Sequence, residues 1–103
     1  MASLYLTQFG GVGVSGSDIA QEPSLGTQVL TIGSETKSTA FDPNCSVVRV
    51  HVDAICSIHF TLPDNSGTYT AATTSSRRMA ADQTEYFGVP RGALMKLSVI
   101  SNS

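Results

Sequence analysis

Residues 45–62 read CSVVRVHVDAICSIHFTL, and the alternation of apolar and polar side chains in this stretch decides the fold class. Valine recurs at every second position from Val48 to Val52, and Arg49 and His51 occupy the positions between. Successive side chains of a strand point to opposite faces, so a period of two predicts a β-strand with one buried and one exposed face. After a short bend the same period continues, which predicts a second strand.

The rest of the chain predicts further short strands. Glycine and proline interrupt the apolar runs about every ten residues, a spacing typical of sandwiches and barrels. No window keeps apolar residues at helical spacing for more than a turn. Residues 68–71 predict a weaker strand, and residues 73–82 fit either a helical turn or a strand. Short connections favour antiparallel pairing, so we predict an all-β fold of roughly six to eight strands, a small antiparallel β-sandwich that is jelly-roll-like.

The predicted strands also indicate the core. Cys45 and Cys56 lie in apolar alternating runs, and the chain begins without a secretion signal. Both are therefore expected to be reduced, buried thiols, with a disulfide as the alternative. The shared period-two register predicts one contiguous core made of Val48, Val50, Val52, Cys56, Ile58, Phe60, Phe87, Val89, Leu97 and Val99.

The N-terminal segment differs in composition. Four glycines fall within the seven positions from Gly10 to Gly16, and glycine loses more backbone freedom on ordering than any other residue. We therefore predict an extended, Gly-rich N-terminal arm and loop over residues 1–23, which contributes mainly to association, and a β-sandwich domain over residues 24–103. The alternative is that Ser3–Phe9 forms an ordinary edge strand. The residues expected to anchor the arm in assembly contacts are Leu4, Leu6, Phe9, Val12 and Val14.

Charge and hydropathy argue against two classes of partner. The formal net charge is -2, only 14% of residues are charged, and the one basic pair is Arg77-Arg78, which fits a subunit contact. Nucleic-acid binding needs several phosphate-neutralising cations, so no nucleic-acid partner is expected. No apolar run approaches the roughly 20 residues of a membrane span, and no signal peptide is recognisable, so we expect no membrane association and synthesis in a cytoplasm.

Hydroxyl groups take the place of the missing charges. The chain contains 14 Ser and 11 Thr residues. A surface that is polar through hydroxyls suits packing against other proteins, because few charges have to be desolvated.

Two patterns resemble catalytic or nucleotide-binding motifs without their context. Residues 11–16 match G-x-G-x-x-G, but Pro23 follows too soon for the helix that binds the pyrophosphate of a dinucleotide. Asp82 and Glu85 are close in sequence, yet a glycosidase pair needs carboxylates that face each other across a cleft. Both patterns are better explained as a loop and a solvated surface.

The histidines form the remaining candidate site. His51, Asp53 and His59 share one outer face if their strands pair, and two imidazoles with a carboxylate suit zinc. The alternation by itself already places polar residues on that face. It also points Cys56 inward and the imidazoles outward, which disfavours a Cys–His catalytic pair. We therefore expect no catalytic, cofactor-binding or metal site, and no enzyme.

The second half of the chain resembles a known group of proteins. The stretches that carry the resemblance are residues 48–60 (VRVHVDAICSIHF), 68–73 (TYTAAT), 78–89 (RMAADQTEYFGV) and a closing apolar strand at 94–100. This order of elements resembles small virion proteins of tailed bacteriophages, which are encoded among head genes. The order is a strand, Asp-Ala, a strand that starts with cysteine, and then Glu-Tyr-Phe-x-Val. The resemblance implies a head decoration or cement protein on the capsid surface, assembled in the host cytoplasm.

The resemblance also implies partners. These are the major capsid protein or other virion proteins, together with further copies of the same chain in a homo-oligomer. A head–tail or tail-fibre accessory protein has the same sequence features. A small receptor- or carbohydrate-binding β module is a further alternative, which the scarcity of aromatic residues (7%, with no Trp) disfavours because sugars stack on rings.

Overall fold

The alternating stretches form β-strands. The computed structural model describes residues 2–10 and 25–102, and within them the regular structure is all β, with no helix. The strands are β1 (Ser3–Phe9), β2 (Gly26–Thr31), β3 (Thr36–Lys37), β4 (Val47–Val52), β5 (Cys56–Thr61), β6 (Arg77–Met79), β7 (Thr84–Gly88) and β8 (Lys96–Ser101). The predicted strand at residues 68–71 is absent, and the ambiguous stretch at 73–82 provides β6 and the turn after it.

The strands form two four-stranded antiparallel sheets. The first sheet has the order β2-β1-β4-β7, and the second has the order β3-β8-β5-β6. The consecutive strands β4 and β5 lie in different sheets, and so do β6 and β7. The bend after β4 and the turn after β6 are therefore crossings between the sheets.

One core cluster draws side chains from both sheets. Every residue of the predicted core belongs to it except Phe60 and Phe87, which are partly buried and pack against it. Their rings lie 4.9 Å apart between centroids. A shared core is what two facing sheets need in order to bury their apolar sides. The buried members of the cluster are Leu4, Leu6, Leu30, Ile32, Phe41, Cys45, Val48, Val50, Val52, Cys56, Ile58, Met79, Val89, Leu97 and Val99.

The position of β1 corrects the expectation of an N-terminal arm over its residues. Ser3–Phe9 pairs with β2 on one side and with β4 on the other, so it is an internal strand. Leu4 and Leu6 are fully buried in the core. The alternation of apolar residues in β1 stabilises this strand in the sheet more than the following glycines destabilise it. Residues 11–23 of the predicted arm, and its boundary at residue 23, lie outside the described residues.

Candidate functional site

The outer face of the second sheet is partly covered by the chain itself. The β5–β6 connection, residues 62–76, runs over this face and is bonded to outward-facing hydroxyls. The Ala72 N–H donates to Ser98 Oγ at 2.8 Å, and the Thr70 N–H donates to Thr61 Oγ1 at 2.9 Å. Tyr69 of the same connection donates its hydroxyl to a main-chain carbonyl at 2.7 Å. Ser98 and Ala72 are buried as a result.

The outer face of the first sheet carries exposed aromatic and apolar side chains. Val29, Tyr5 and His51 lie side by side across three strands, and Tyr86 lies opposite Arg49. Val29 is 58%, Tyr86 55% and Tyr5 39% exposed. We call this surface the open face. By register its outward-facing side chains are Ser3, Tyr5, Thr7, Phe9, Thr27, Val29, Thr31, Val47, Arg49, His51, Thr84 and Tyr86, of which Phe9 is itself buried.

The open face is low in charge. Arg49 is its one permanently charged side chain, and His51 its one imidazole, whereas threonine and tyrosine supply most of its polar groups. The Tyr5 ring lies 6.2 Å from the His51 ring between centroids. Tyrosine, arginine and a shortage of other charges are typical of the centre of a protein–protein interface.

A cluster of potential metal ligands borders the open face. His51, Asp53 and Asp82 each place one ligand atom within 4.8 Å of the others. The His51 Nδ1 atom lies 2.7 Å from Thr84 Oγ1, and its Nε2 atom lies 3.7 Å from Asp53 Oδ1. The predicted partner His59 is not in this cluster, because β5 belongs to the second sheet. Asp82 takes its place.

Main-chain hydrogen bonds fix this cluster. The Asp82 N–H donates to the Val52 carbonyl at 2.8 Å, and the Val52 N–H donates to the Gln83 carbonyl at 3.1 Å. His51 and Asp53 flank Val52 in the chain and share the face opposite its buried side chain. Asp82 has a φ of 59°, a left-handed conformation that aspartate tolerates better than most residues. Sequence reasoning did not connect Asp82 with His51, because the pairing of β4 with β7 cannot be read from a local pattern.

Of the residues predicted to make assembly contacts, those that the structure describes do not form one surface. Leu4 and Leu6 lie in the core, and Phe9 is buried with its ring 6.5 Å from that of Tyr86. Arg77 and Arg78 are exposed on β6 in the second sheet, and the Arg77 guanidinium lies 5.1 Å from the centroid of the Phe87 ring. Val12 and Val14 lie outside the described residues, as does the G-x-G-x-x-G stretch at residues 11–16.

The remaining chemistry-bearing residues have structural partners. Cys45 and Cys56 are buried free thiols, and burial raises the pKa of each. Burial also raises the pKa of Glu35, but hydrogen bonds from Ser98 and Lys37, with the Lys37 charge, outweigh it and lower that pKa overall. Glu85 accepts a hydrogen bond from Gln83 Nε2 at 2.7 Å.

Comparison with known proteins yields no relatives: no protein-family model, curated protein or solved structure matches this chain. Within residues 2–10 and 25–102, no helix is long and apolar enough to cross a membrane.

Proposed function

We propose that this chain is a structural virion protein, a decoration or cement protein that binds the major capsid protein lattice of a tailed phage. It is assembled in the host cytoplasm and resides on the capsid surface. The proposal assigns it no catalytic chemistry, cofactor or nucleic-acid partner. The observation that supports it best is the open face, which carries exposed apolar and aromatic side chains, is low in charge and lies on a four-stranded sheet.

The size of the open face suggests how it acts. The sheet has four strands about 4.8 Å apart, and each strand has about six residues with a rise of about 3.4 Å per residue. Its face therefore has an area of roughly 400 Å². A standard stable interface covers about 800 Å² on each partner, so one such face supports only a weak contact. A homo-oligomer offers several faces to a repeating lattice at once, and such multivalency raises overall affinity without new contacts. We therefore include self-association in the proposal.

The connectivity supports a jelly-roll sandwich as the finer fold. When the strands are taken from β2 to β8 and then β1, their pairs nest as β5 with β6, β4 with β7, β3 with β8 and β2 with β1. Successive pairs alternate between the two sheets. This order is what an eight-stranded jelly roll would have if β1 took the place of its last strand. Jelly rolls occur in viral capsid domains and in lectin domains. A fold of this kind is therefore compatible with a virion role and with carbohydrate binding, by analogy of fold alone.

The decisive test is binding to capsids. Purified particles of the phage that encodes this chain are quantified by mass spectrometry, and recombinant protein is co-sedimented with particles that lack it. We expect a copy number comparable with that of the major capsid protein. Tyr86→Lys places a charge on the open face and should weaken co-sedimentation at least about tenfold. Leu62→Lys is the control, because Leu62 is 51% exposed on the β5–β6 connection, away from the open face.

The outcomes separate the proposal from its alternatives. A copy number of a tail ring or fibre would contradict the cement role and indicate a head–tail or tail-fibre component. Equal loss of binding in both variants would show that the open face is not the docking surface.

A carbohydrate-binding module is the second candidate, because two tyrosine rings are exposed on the open face. Tyr5 and Tyr86 offer ring faces for sugar stacking, and Arg49 lies opposite Tyr86 as a hydrogen-bond donor. A glycan array separates this candidate from the first. If the chain is a carbohydrate-binding module, Tyr86→Ala should abolish glycan binding, and the protein should not be needed for capsid stability.

A further inference from the structure

We propose that His51, Asp53 and Asp82 form a zinc-binding site. The three side chains come from the end of β4 and from the turn between β6 and β7, two segments 29 residues apart in the chain. One imidazole nitrogen and two carboxylate oxygens already lie within 4.8 Å of one another. Metal–ligand distances of about 2.0–2.2 Å need only small side-chain rotations from that arrangement.

The histidine is what separates this cluster from a simple group of acids. Imidazole favours zinc and other transition metals, whereas calcium and magnesium prefer sites made of oxygen alone. Thr84 Oγ1 occupies the Nδ1 side of the His51 ring at 2.7 Å, and Nε2 faces the Asp53 carboxylate at 3.7 Å. Metal-binding histidines are commonly oriented by a hydrogen bond at the other ring nitrogen, so Thr84 acts as a positioning residue.

The charge balance also favours a cation. Among the described residues, neither Asp53 nor Asp82 has a lysine or arginine nitrogen within the 4.0 Å of a salt bridge; the Nε2 atom of His51 is the one basic nitrogen near Asp53. Two carboxylates held close together repel each other, and a divalent cation between them removes that repulsion. The main-chain bonds of Val52 hold both segments in place, so little backbone order has to be created on binding.

A bound ion would link the two sheets at one of their crossings. β6 lies in the second sheet and β7 in the first, and Asp82 lies in the turn that joins them. An ion held by Asp82, His51 and Asp53 would fasten that turn to the end of β4. Three protein ligands leave a fourth position for water, since zinc is usually four-coordinate. The inference is independent of the capsid role.

The experiment is a titration of tag-free, metal-stripped protein with zinc chloride, followed by calorimetry and by thermal melting. We expect one zinc ion per chain and a rise in melting temperature. His51→Gln and Asp82→Asn should each weaken zinc binding more than tenfold, and Thr84→Val should weaken it about tenfold. Asn adopts left-handed backbone as readily as Asp, so Asp82→Asn should fold, which circular dichroism checks.

His59→Gln is the matched control, because His59 is the chain's other histidine and lies in the second sheet. Its zinc affinity and stoichiometry should equal those of the unmodified protein. The assignment is overturned if the protein binds no zinc at micromolar concentration, if the His51 and Asp82 variants bind zinc unchanged, or if His59→Gln removes the binding. It is also overturned if calcium binds as tightly as zinc.

Discussion

Cys45 lies just before β4 and Cys56 at the start of β5, and both are buried in the core. Burial raises the pKa of both thiols, and the thiolate is the form that reacts. A thiol reagent added to the native protein at neutral pH should therefore react slowly at both positions. After unfolding in denaturant without reductant, the same reagent should titrate both thiols of each chain. A count of zero in denaturant would mean that the two cysteines form a disulfide.

The core valines on β4 give the sharpest test of the two-faced strand. Val50 is fully buried, and its neighbour Arg49 lies on the open face. Val50→Asp should abolish soluble folded protein, because an unpaired buried charge costs several kcal/mol out of a total stability of about 5–15 kcal/mol. Arg49→Asp makes a larger change in charge one residue away and should leave the protein folded. Circular dichroism and size-exclusion chromatography of both variants decide the matter, and a folded Val50→Asp protein would contradict the register.

At the scale of elements, the β5–β6 connection depends on a few side-chain hydroxyls. Ser98 Oγ accepts the Ala72 N–H and donates to Glu35, and all of this lies on the covered side of the second sheet. Ser98→Ala leaves the buried Ala72 N–H without its partner, which should cost about 1–3 kcal/mol. In a domain of this size each kcal/mol corresponds to a fall of roughly 4–8 °C in melting temperature. Differential scanning calorimetry measures that fall.

Ser75→Ala is the control for that substitution. Ser75 is exposed in the same connection, and among the described residues its hydroxyl has no hydrogen-bond partner. Its melting temperature should stay within about 2 °C of the parent, as expected for a surface change. Similar losses in both variants would mean that the connection is not held by Ser98.

The elements that the sequence predicts well are those with a clear local period. β4 and β5 follow the alternation of valines and isoleucine closely, and nearly all the predicted core lies where expected. The place of β1 is harder to predict, because the four glycines after it suggest an arm, whereas its pairing with β4 joins residues about 40 positions apart, from Phe9 with Val47 to Leu4 with Val52. The His51–Asp82 cluster was missed for the same reason. Local alternation assigns faces, but it carries no information on which strands become neighbours.

At the scale of the whole molecule, the start of the first strand and the end of the last strand lie beside the same segment, Ile32 and Gly33. The Ile32 N–H donates to the Ala2 carbonyl at 3.0 Å, and the Ser101 N–H donates to the Gly33 carbonyl at 3.0 Å. Ile32 and Gly33 are consecutive, and paired strands are about 5.5 Å apart between Cα atoms. Ala2 and Ser101 are therefore no more than about 15 Å apart. The nested strand order requires this closeness if β1 takes the place of a last strand.

A circular permutant tests that arrangement. Joining Ser103 to Met1 through a six-residue Gly/Ser linker, with an average span of about 13 Å, and opening the chain between Ser17 and Asp18 gives the order β2 to β8 followed by β1. We expect this permutant to fold with a melting temperature within about 10 °C of the parent, because every strand pair of residues 2–10 and 25–102 is kept and domains tolerate permutation where their ends are close. A second permutant, with the same linker but opened between Val48 and Arg49, cuts β4 between its two partners and should not fold. If the first permutant is as disordered as the second, β1 does not occupy the position that nested pairing gives it.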